Sequence, residues 1–299
     1  MIYKLLVPLL LIFFKVNSQN QKIRIINDSI TKLDEVVLKG NTILGNKFAS
    51  KNRTGSSFYL SKAELNQFGD IDINRVLDRI PGVTVYEEDG FGLRPNISLR
   101  GTSPERSSKI TIMEDGILAA PAPYSASSAY YFPSVARMSA VEVLKGSSQI
   151  QYGPNTTGGV INFVSSEISD SLKIDVENSY GSFKSGKLVS RISNSNETLG
   201  YLLEYLNFNS DGFKTIEGEG NTGFDINEFL FKFKIDFFKK YNTKHTLEFK
   251  FQNYDEISNE TYLGLTKIDY DSKPFYRYPS TQKDNMIAYK NQYVVSYVV

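Results

Sequence analysis

From residue 171 onward, apolar and polar side chains alternate one by one through several long runs. In SLKIDVENSY, Leu172, Ile174, Val176 and Tyr180 fall on one face, and Lys173, Asp175, Glu177 and Ser179 on the other. EFLFKFKIDFF sets Phe229, Phe231, Phe233, Ile235 and Phe237 against Leu230, Lys232, Lys234 and Asp236. TLEFKFQN sets Leu247, Phe249 and Phe251 against Glu248, Lys250 and Gln252. The last run opposes Ile287, Tyr289, Tyr293, Val295 and Tyr297 to Lys290, Gln292 and Ser296. A period of two belongs to a strand and gives each strand one apolar and one polar face. A soluble sandwich alternates in the same way, usually over shorter strands. Strands of about 10 residues with Tyr near their ends fit a membrane barrel, with lipid outside and water or protein inside.

The connections agree with that reading. NSNE and FFKKYNTK are short, whereas residues 209–224 and 256–284 are long, polar and rich in Gly, Asp and Tyr. Short and long connections alternate on the two sides of a membrane barrel. We count roughly six strands over residues 171–299, too few to close a wide barrel, and an open edge in lipid leaves backbone groups unpaired. The chain stops within the apolar run YVVSYVV, so the barrel is expected to be incomplete here.

Residues 58–170 read as a compact α+β domain. Ser61 and Glu64 have capping-box spacing, flanked by Leu60 and Leu65 as a hydrophobic staple, which predicts a helix starting at Ser61. Behind Asp72, Ile73, Val76, Leu77 and Ile80 recur at helical spacing and Pro81 supplies a stop. Short strands are expected at 83–86, 97–100, 110–113, 141–144 and 160–164. Glu114-Asp115-Gly116 is a turn signal, and Gly158-Gly159 permits close backbone approach.

At the N-terminus, MIYKLLVPLLLIFFKVNSQ has an early lysine, an apolar core and small polar residues at Asn17 and Ser18. That pattern predicts a signal peptide over residues 1–18, since the apolar run at 5–14 is too short to span a bilayer as a helix. Residues 19–57 are expected to form a flexible segment, interrupted by the island LDEVVLKG at 33–40. Its apolar residues suit an extended segment awaiting a partner strand, or an ordinary N-terminal strand; the residues alone leave both open.

Several classes of chemistry are argued against. A net charge of +1 over 299 residues disfavours a nucleic-acid partner held by bulk electrostatics. Cysteine is absent and His245 is the single histidine, which leaves little for thiolate or multi-histidine metal sites. Gly40 and Gly45 have phosphate-loop spacing, but Asn46 stands where lysine is needed. Glu87, Glu88 and Asp89 read as a solvated acidic turn, and His245 as a surface residue beside a short turn. No nucleophile and base can be paired, so we expect no catalytic residue, no metal site, no cofactor and no enzyme activity.

RIPGVTV, ISLRGTSPERSSKITIMEDG, APAPY and YYFPSVARMSAVEVLKGSSQIQYGPNTTGGVINFVSS occur in this order after the expected leader and island. Together they resemble the plug domain of TonB-dependent outer-membrane receptors, closely over residues 33–166, and the strands to residue 299 fit the start of such a receptor's barrel. The wording around RGTSPERSS, MEDG and APAPY is most similar to the ferric-citrate and ferric-siderophore branch. The resemblance implies an α+β plug domain followed by the first strands of a transmembrane antiparallel β-barrel of about 22 strands. It implies that Leu33, Asp34, Glu35, Val36, Val37 and Leu38 form the TonB box, which the TonB energy-coupling complex captures by strand addition.

It further implies uptake of a ferric chelate through the outer membrane of a Gram-negative bacterium, with outer-membrane lipid around the barrel and no chemistry on the substrate. By the same resemblance, loops carrying Thr102, Ser103, Arg106 and Tyr124 meet an anionic chelate, with Arg277 from the loop at 256–284 as a further contact. Simple solvation of Arg106 is the competing reading. Arg100 and Glu142 are implied to tie the plug to the barrel wall. The organic carrier would hold the metal, so no protein ligand set is needed. A same-fold receptor for cobalamin, haem or an oligosaccharide, and a truncated binding module that does not transport, are the alternatives.

Overall fold

The capping signals and short apolar runs before residue 170 do build a mixed α+β domain. The computed structural model describes residues 41–299 apart from 54, 68–71, 154–156, 219 and 240–242. The expected leader at 1–18 and the expected box at 33–38 lie outside the described residues. In order, the domain comprises α1 (Lys47–Asn52), β1 (Ser56–Ser61), α2 (Lys62–Asn66), α3 (Ile73–Leu77), β2 (Val83–Tyr86), β3 (Asn96–Leu99), β4 (Ile110–Glu114), β5 (Ile117–Leu118), β6 (Met138–Lys145) and β7 (Gly159–Ser165). Five strands form one sheet in the order β1-β6-β7-β4-β5, and β2 and β3 form a separate hairpin. Only the β4–β7 pairing in the larger sheet is parallel.

Ser61 starts α2 as its spacing predicts, with the reciprocal Ser61–Glu64 capping box in place. Asp72 caps α3 by accepting from the Asn74 N–H at 2.8 Å. This helix ends at Leu77, short of Pro81, and Ile80 is buried in the turn that follows. Val76, Leu77 and Ile80 pack with Ile97, Leu99, Ile112, Val141, Val143 and Ile161 in the main core. Each such side chain contributes about 1.5–3 kcal/mol on full burial. Gly159 is needed where β7 begins, because a Cβ there would lie 2.6 Å from the Leu144 carbonyl oxygen.

The expected flexible stretch at 19–57 needs correction over its described part. Asn46 caps α1 through the Ala49 N–H at 2.8 Å, and Leu44 is buried against Met113, Leu144 and Val160. A lone leucine and one short helix leave no periodic signal, so the sequence reading placed the start of the fold too late.

The second region is an antiparallel meander. Its long strands are β8 (Lys173–Tyr180), β9 (Gly186–Ser195) and β10 (Leu199–Ser210); after β11 (Thr215–Ile216) come β12 (Phe224–Lys239) and β13 (Thr243–Ser258); α4 (Lys267–Ser272) and β14 (Tyr276–Arg277) precede β15 (Met286–Val298). Six of them make one sheet in the order β15-β13-β12-β10-β9-β8, as counted from the alternation. No helix among the described residues is long and apolar enough to cross a membrane, which says nothing of strands.

The two faces of this sheet are chemically opposite. Phe231 pairs with Phe251 on the outer face, and Lys232 with Lys250 on the inner face. Outward Ile174, Val176, Tyr293 and Val295 are exposed, whereas inward Glu204, Glu228, Lys232, Lys250 and Glu256 are buried against the plug. Toward the long loops the outer face turns polar. Asn207 donates to Asn227 at 3.0 Å and Asn253 to Asn291 at 3.0 Å, forming an amide belt. From Asn227 to Phe237 the strand rises about 33 Å, which a typical tilt reduces to the roughly 25 Å of a barrel's apolar band.

His245 is not a free surface residue. It shares the outer face with Leu247 and Phe249, is buried between the rings of Phe237 and Tyr297, and hydrogen-bonds to the Tyr297 hydroxyl. At the short-turn end, the ring is part of an aromatic cluster.

Candidate functional site

The inward charges of the wall meet the plug where β4 turns into β5. Asp115 (φ 52°) and Gly116 (φ 76°) form a two-residue turn of left-handed residues, and this presents Glu114 and Asp115 side by side. The Lys250 ammonium donates to Glu114 at 2.8 Å and to Asp115 at 2.6 Å. Lys232 stands 3.7 Å from Asp115, and Lys290 stands 3.6 Å from Glu114 and 3.8 Å above the Tyr131 ring.

Arg137 closes the cluster. It ends a 3-10 turn, Val135–Arg137, and is 1% exposed. One guanidinium nitrogen donates to Glu114 at 3.0 Å, another to the Tyr131 hydroxyl at 3.0 Å, and Nε pairs with Glu228 of the wall. Glu228 also accepts from Ser134. The network requires the Gln252 amide with its oxygen toward Arg137 and its nitrogen toward Glu114. Three carboxylates (Glu114, Asp115, Glu228) therefore face four cations (Arg137, Lys232, Lys250, Lys290).

Burial alone would raise both plug carboxyls. For Glu114, Arg137, Lys250 and Lys290 outweigh it and hold the group well below its ordinary range. For Asp115, Lys232 and Lys250 do the same and bring it to about 2. Both remain ionised at neutral pH, as hydrogen-bonded partners in a low-dielectric interface should.

Further contacts join plug and wall at two other places. Arg94, in the loop between β2 and β3, pairs with Glu256 at 2.6 Å. That loop is folded around Asp89, which accepts from the N–H groups of Phe91 at 2.5 Å and Arg94 at 2.8 Å, while Glu88 accepts from Asn96. Of the acidic turn, Asp89 is thus spent on the loop's own backbone, while Glu87 and Glu88 stay exposed as the sequence reading expects. Phe91 packs on Phe213 and Phe224, and Phe213 on Phe275, so the loop is interlocked with both long connections of the wall. Near the plug's exit, Ser166 donates to Glu204 at 2.7 Å, and Arg191 bridges Glu204, Glu177 and the Ala136 carbonyl.

Of the two expected tethers, Glu142 is bound within the plug, and Arg100 meets no wall residue among those described. Arg100 is exposed at the end of β3 in a left-handed conformation (φ 56°), with no described pairing to the wall. Glu142 is fully buried inside the plug, where its carboxylate accepts from the N–H groups of Ile43, Leu44 and Gly45 and from Asn162. Burial pushes its carboxyl up against the pull of those hydrogen bonds. The described ion-pair tethers on the plug side are Arg94, Glu114, Asp115 and Arg137, beside the hydrogen bonds at Ser166 and the Ala136 carbonyl. Alternation had marked their wall partners Lys232 and Lys250 as inward, but one sequence does not say which plug charge each inward residue meets.

Among the expected substrate contacts, Arg277 needs correction. It is 4% exposed, and its guanidinium donates to the Thr281 hydroxyl and carbonyl, the Asp284 carbonyl and the Asn259 carbonyl. Its donors are committed to folding the loop. Arg106 and Ser103 are exposed, Thr102 is half-buried and bonded to the Leu99 carbonyl, and Tyr124 is 41% exposed. Ser128 donates to Ser107 at 3.0 Å, which ties together the two loops bearing these residues. Both gather at the Ile110 end of β4, where Ser127 donates to the Ile110 carbonyl, opposite the Glu114 end that meets the wall. A separate cavity of about 460 Å³ lies between plug residues 119–121, Tyr130 and Tyr131 and the inner face of β15 at Ala288 and Lys290.

Comparison with known proteins accords with this architecture. Residues 50–160 match the TonB-dependent Receptor Plug Domain family. The fold is similar to the ferric citrate transporter FecA in its unliganded form, with a TM-score of 0.64 and 24% identity over 78% of this chain and 36% of that one. The ferric enterobactin receptor of Pseudomonas aeruginosa gives 0.58 and 15% identity, covering 88% of this chain and 40% of that one. The ferric yersiniabactin uptake receptor FyuA from Yersinia pestis gives 0.57 and 20% identity, covering 70% and 33%. The chain thus spans about a third to two-fifths of the length of these receptors. Residues 50–160 match the plug-domain family of TonB-dependent receptors, and the six long strands after them have the fold of the first part of those receptors' barrel.

Proposed function

We propose that this chain forms the plug and first wall of an outer-membrane receptor that takes up a ferric chelate, ferric citrate or a ferric siderophore, under TonB drive. The observation that carries the reading is the chemistry of the plug–wall interface. Beside an apolar contact in which Val189, Leu206, Phe224 and Ile226 pack on the plug core, this interface buries a cluster of ion pairs around Glu114, Asp115 and Arg137, which a permanent apolar interior would not need. Such pairs hold firmly while dry and lose their advantage once water enters, which suits a plug that must stay seated and later shift.

The chelate is captured from outside, with Arg106, Thr102, Ser103 and Tyr124 as contacts and the cavity beside Lys290 as a second place to receive it. An anionic chelate suits these donors. Capture changes the reach of residues 33–38, TonB binds them as an added strand, and pulling remodels the plug. The protein binds and moves its substrate without altering it. The outward phenylalanine band faces outer-membrane lipid.

The test is growth on iron-limited medium of cells lacking their own iron receptors and expressing the complete gene product. We expect rescue by ferric citrate or a ferric siderophore, and no rescue when TonB is deleted. Rescue that persists without TonB, rescue by haem in place of a ferric chelate, or binding of cobalamin or an oligosaccharide with no rescue by any ferric chelate, would contradict the reading.

A further inference from the structure

Three residues after the segment 33–38, the chain enters a set of contacts that the tether reading of Glu142 did not anticipate. The Asn41 carbonyl accepts from the Asn162 amide at 3.0 Å. The N–H groups of Ile43, Leu44 and Gly45 then converge on the Glu142 carboxylate at 2.8, 3.0 and 3.2 Å. Asn162 donates to the same carboxylate at 2.7 Å, and its own oxygen accepts from the Gly116 N–H at 2.9 Å. Glu142 and Asn162 are both fully buried and stand opposite each other on β6 and β7.

Successive N–H groups aimed at one anion form a nest, and charge-assisted bonds of this kind are among the stronger ones. Among the described residues, 41–45 join no strand ladder, and the first described pairing begins at Ser56 with β6. Among the described contacts, Glu142, Asn162 and the packing of Leu44 hold this segment, with Arg53 donating to the Ile43 carbonyl at 2.8 Å. Load applied from the N-terminal side reaches these contacts one after another, before it reaches α1 and the edge strand β1.

We propose that Glu142 is a positioning residue of the energy-coupled step: its carboxylate clasps residues 43–45 and sets how far segment 33–38 reaches from the plug, until load on that segment opens the clasp. The inference rests on the proposed role of residues 33–38 as the TonB box.

Residues 1–299 contain no cysteine, so Val37→Cys, placed in a complete receptor with any later cysteine replaced by serine, gives a clean reporter of reach. Its labelling by a maleimide is compared in receptors with Glu142, Glu142→Gln and Glu142→Ala, in outer-membrane vesicles open to the reagent. Heat-modifiable migration and chelate affinity are measured in parallel. In the absence of chelate, Glu142→Ala should raise the labelling rate by about ten-fold, the factor expected for losing a charge-assisted hydrogen bond. Glu142→Gln, whose carbonyl oxygen still accepts, should fall between, with affinity and migration unchanged in both. Asn162→Ala, which frees Asn41 and the carboxylate's other partner, should reproduce the effect if Glu142→Ala fails to fold. Equal labelling in all folded variants would overturn the clasp, as would a loss of chelate affinity in step with labelling. A Val36→Pro receptor that still takes up chelate would overturn the box reading; labelling at position 37 would still decide the clasp.

Discussion

Arg137 and Arg277 show how differently two buried arginines can be employed. Arg137 meets carboxylates from both sides of the interface, Glu114 of the plug and Glu228 of the wall. Truncating it leaves two buried carboxylates short of a partner, so Arg137→Ala should cost about 3–5 kcal/mol, read as a lower unfolding temperature. Combining it with Glu228→Gln should recover part of that loss, because one uncompensated charge is removed. Arg277 instead binds backbone carbonyls of its own loop, so Arg277→Ala should speed protease nicking within residues 259–285 and leave chelate affinity unchanged. Arg106→Ala should do the reverse, weakening an anionic chelate by about ten-fold with no change in loop cleavage, as loss of one charged donor predicts. In the sequence, Arg106 and Arg277 look alike, each an arginine in a polar loop. Only the fold shows that one is enclosed by carbonyls and the other exposed.

At the scale of elements, the helix caps were legible because their partners lie within three residues. In α2, Glu64 is held at about 2 by the hydrogen bond from Lys47 and those within the Ser61 box. The folded value is below the ordinary one, so the box contributes fully above the ordinary carboxylate range, and the contribution is lost as pH falls from there toward 2. Amide exchange in α2 should therefore accelerate on acidification, and Glu64→Gln should abolish that dependence; an unchanged acid response in Glu64→Gln would exclude Glu64 as its source. α1 and the approach to it were not legible, since the group that orders residues 43–45 is Glu142, nearly a hundred residues away. The alternating strands were read with their faces correct, because which face is apolar is a local property. The partner of each inward charge is not local, and so the sequence did not single out Arg94, Glu114, Asp115 and Arg137 as tethers, while Glu142 is bound within the plug.

For the molecule as a whole, two surfaces divide the labour. The outer face, with its phenylalanine band below an amide belt of Asn207, Asn227, Asn253 and Asn291, matches hydrocarbon below and headgroups above. A Phe231→Asp change should block insertion, whereas Asn227→Asp should be tolerated, as membrane fractionation would show. The inner face grips the plug by charge, and the plug's large sheet keeps β1, its first strand, at the edge, where strain entering from the N-terminus disturbs one ladder first. The most direct measurement is uptake of radiolabelled iron as its chelate by energised cells carrying the complete receptor, with and without Val36→Pro. Unchanged chelate binding with uptake reduced to background is the result expected of a plug pulled through residues 33–38. Undiminished uptake by the Val36→Pro receptor would contradict it.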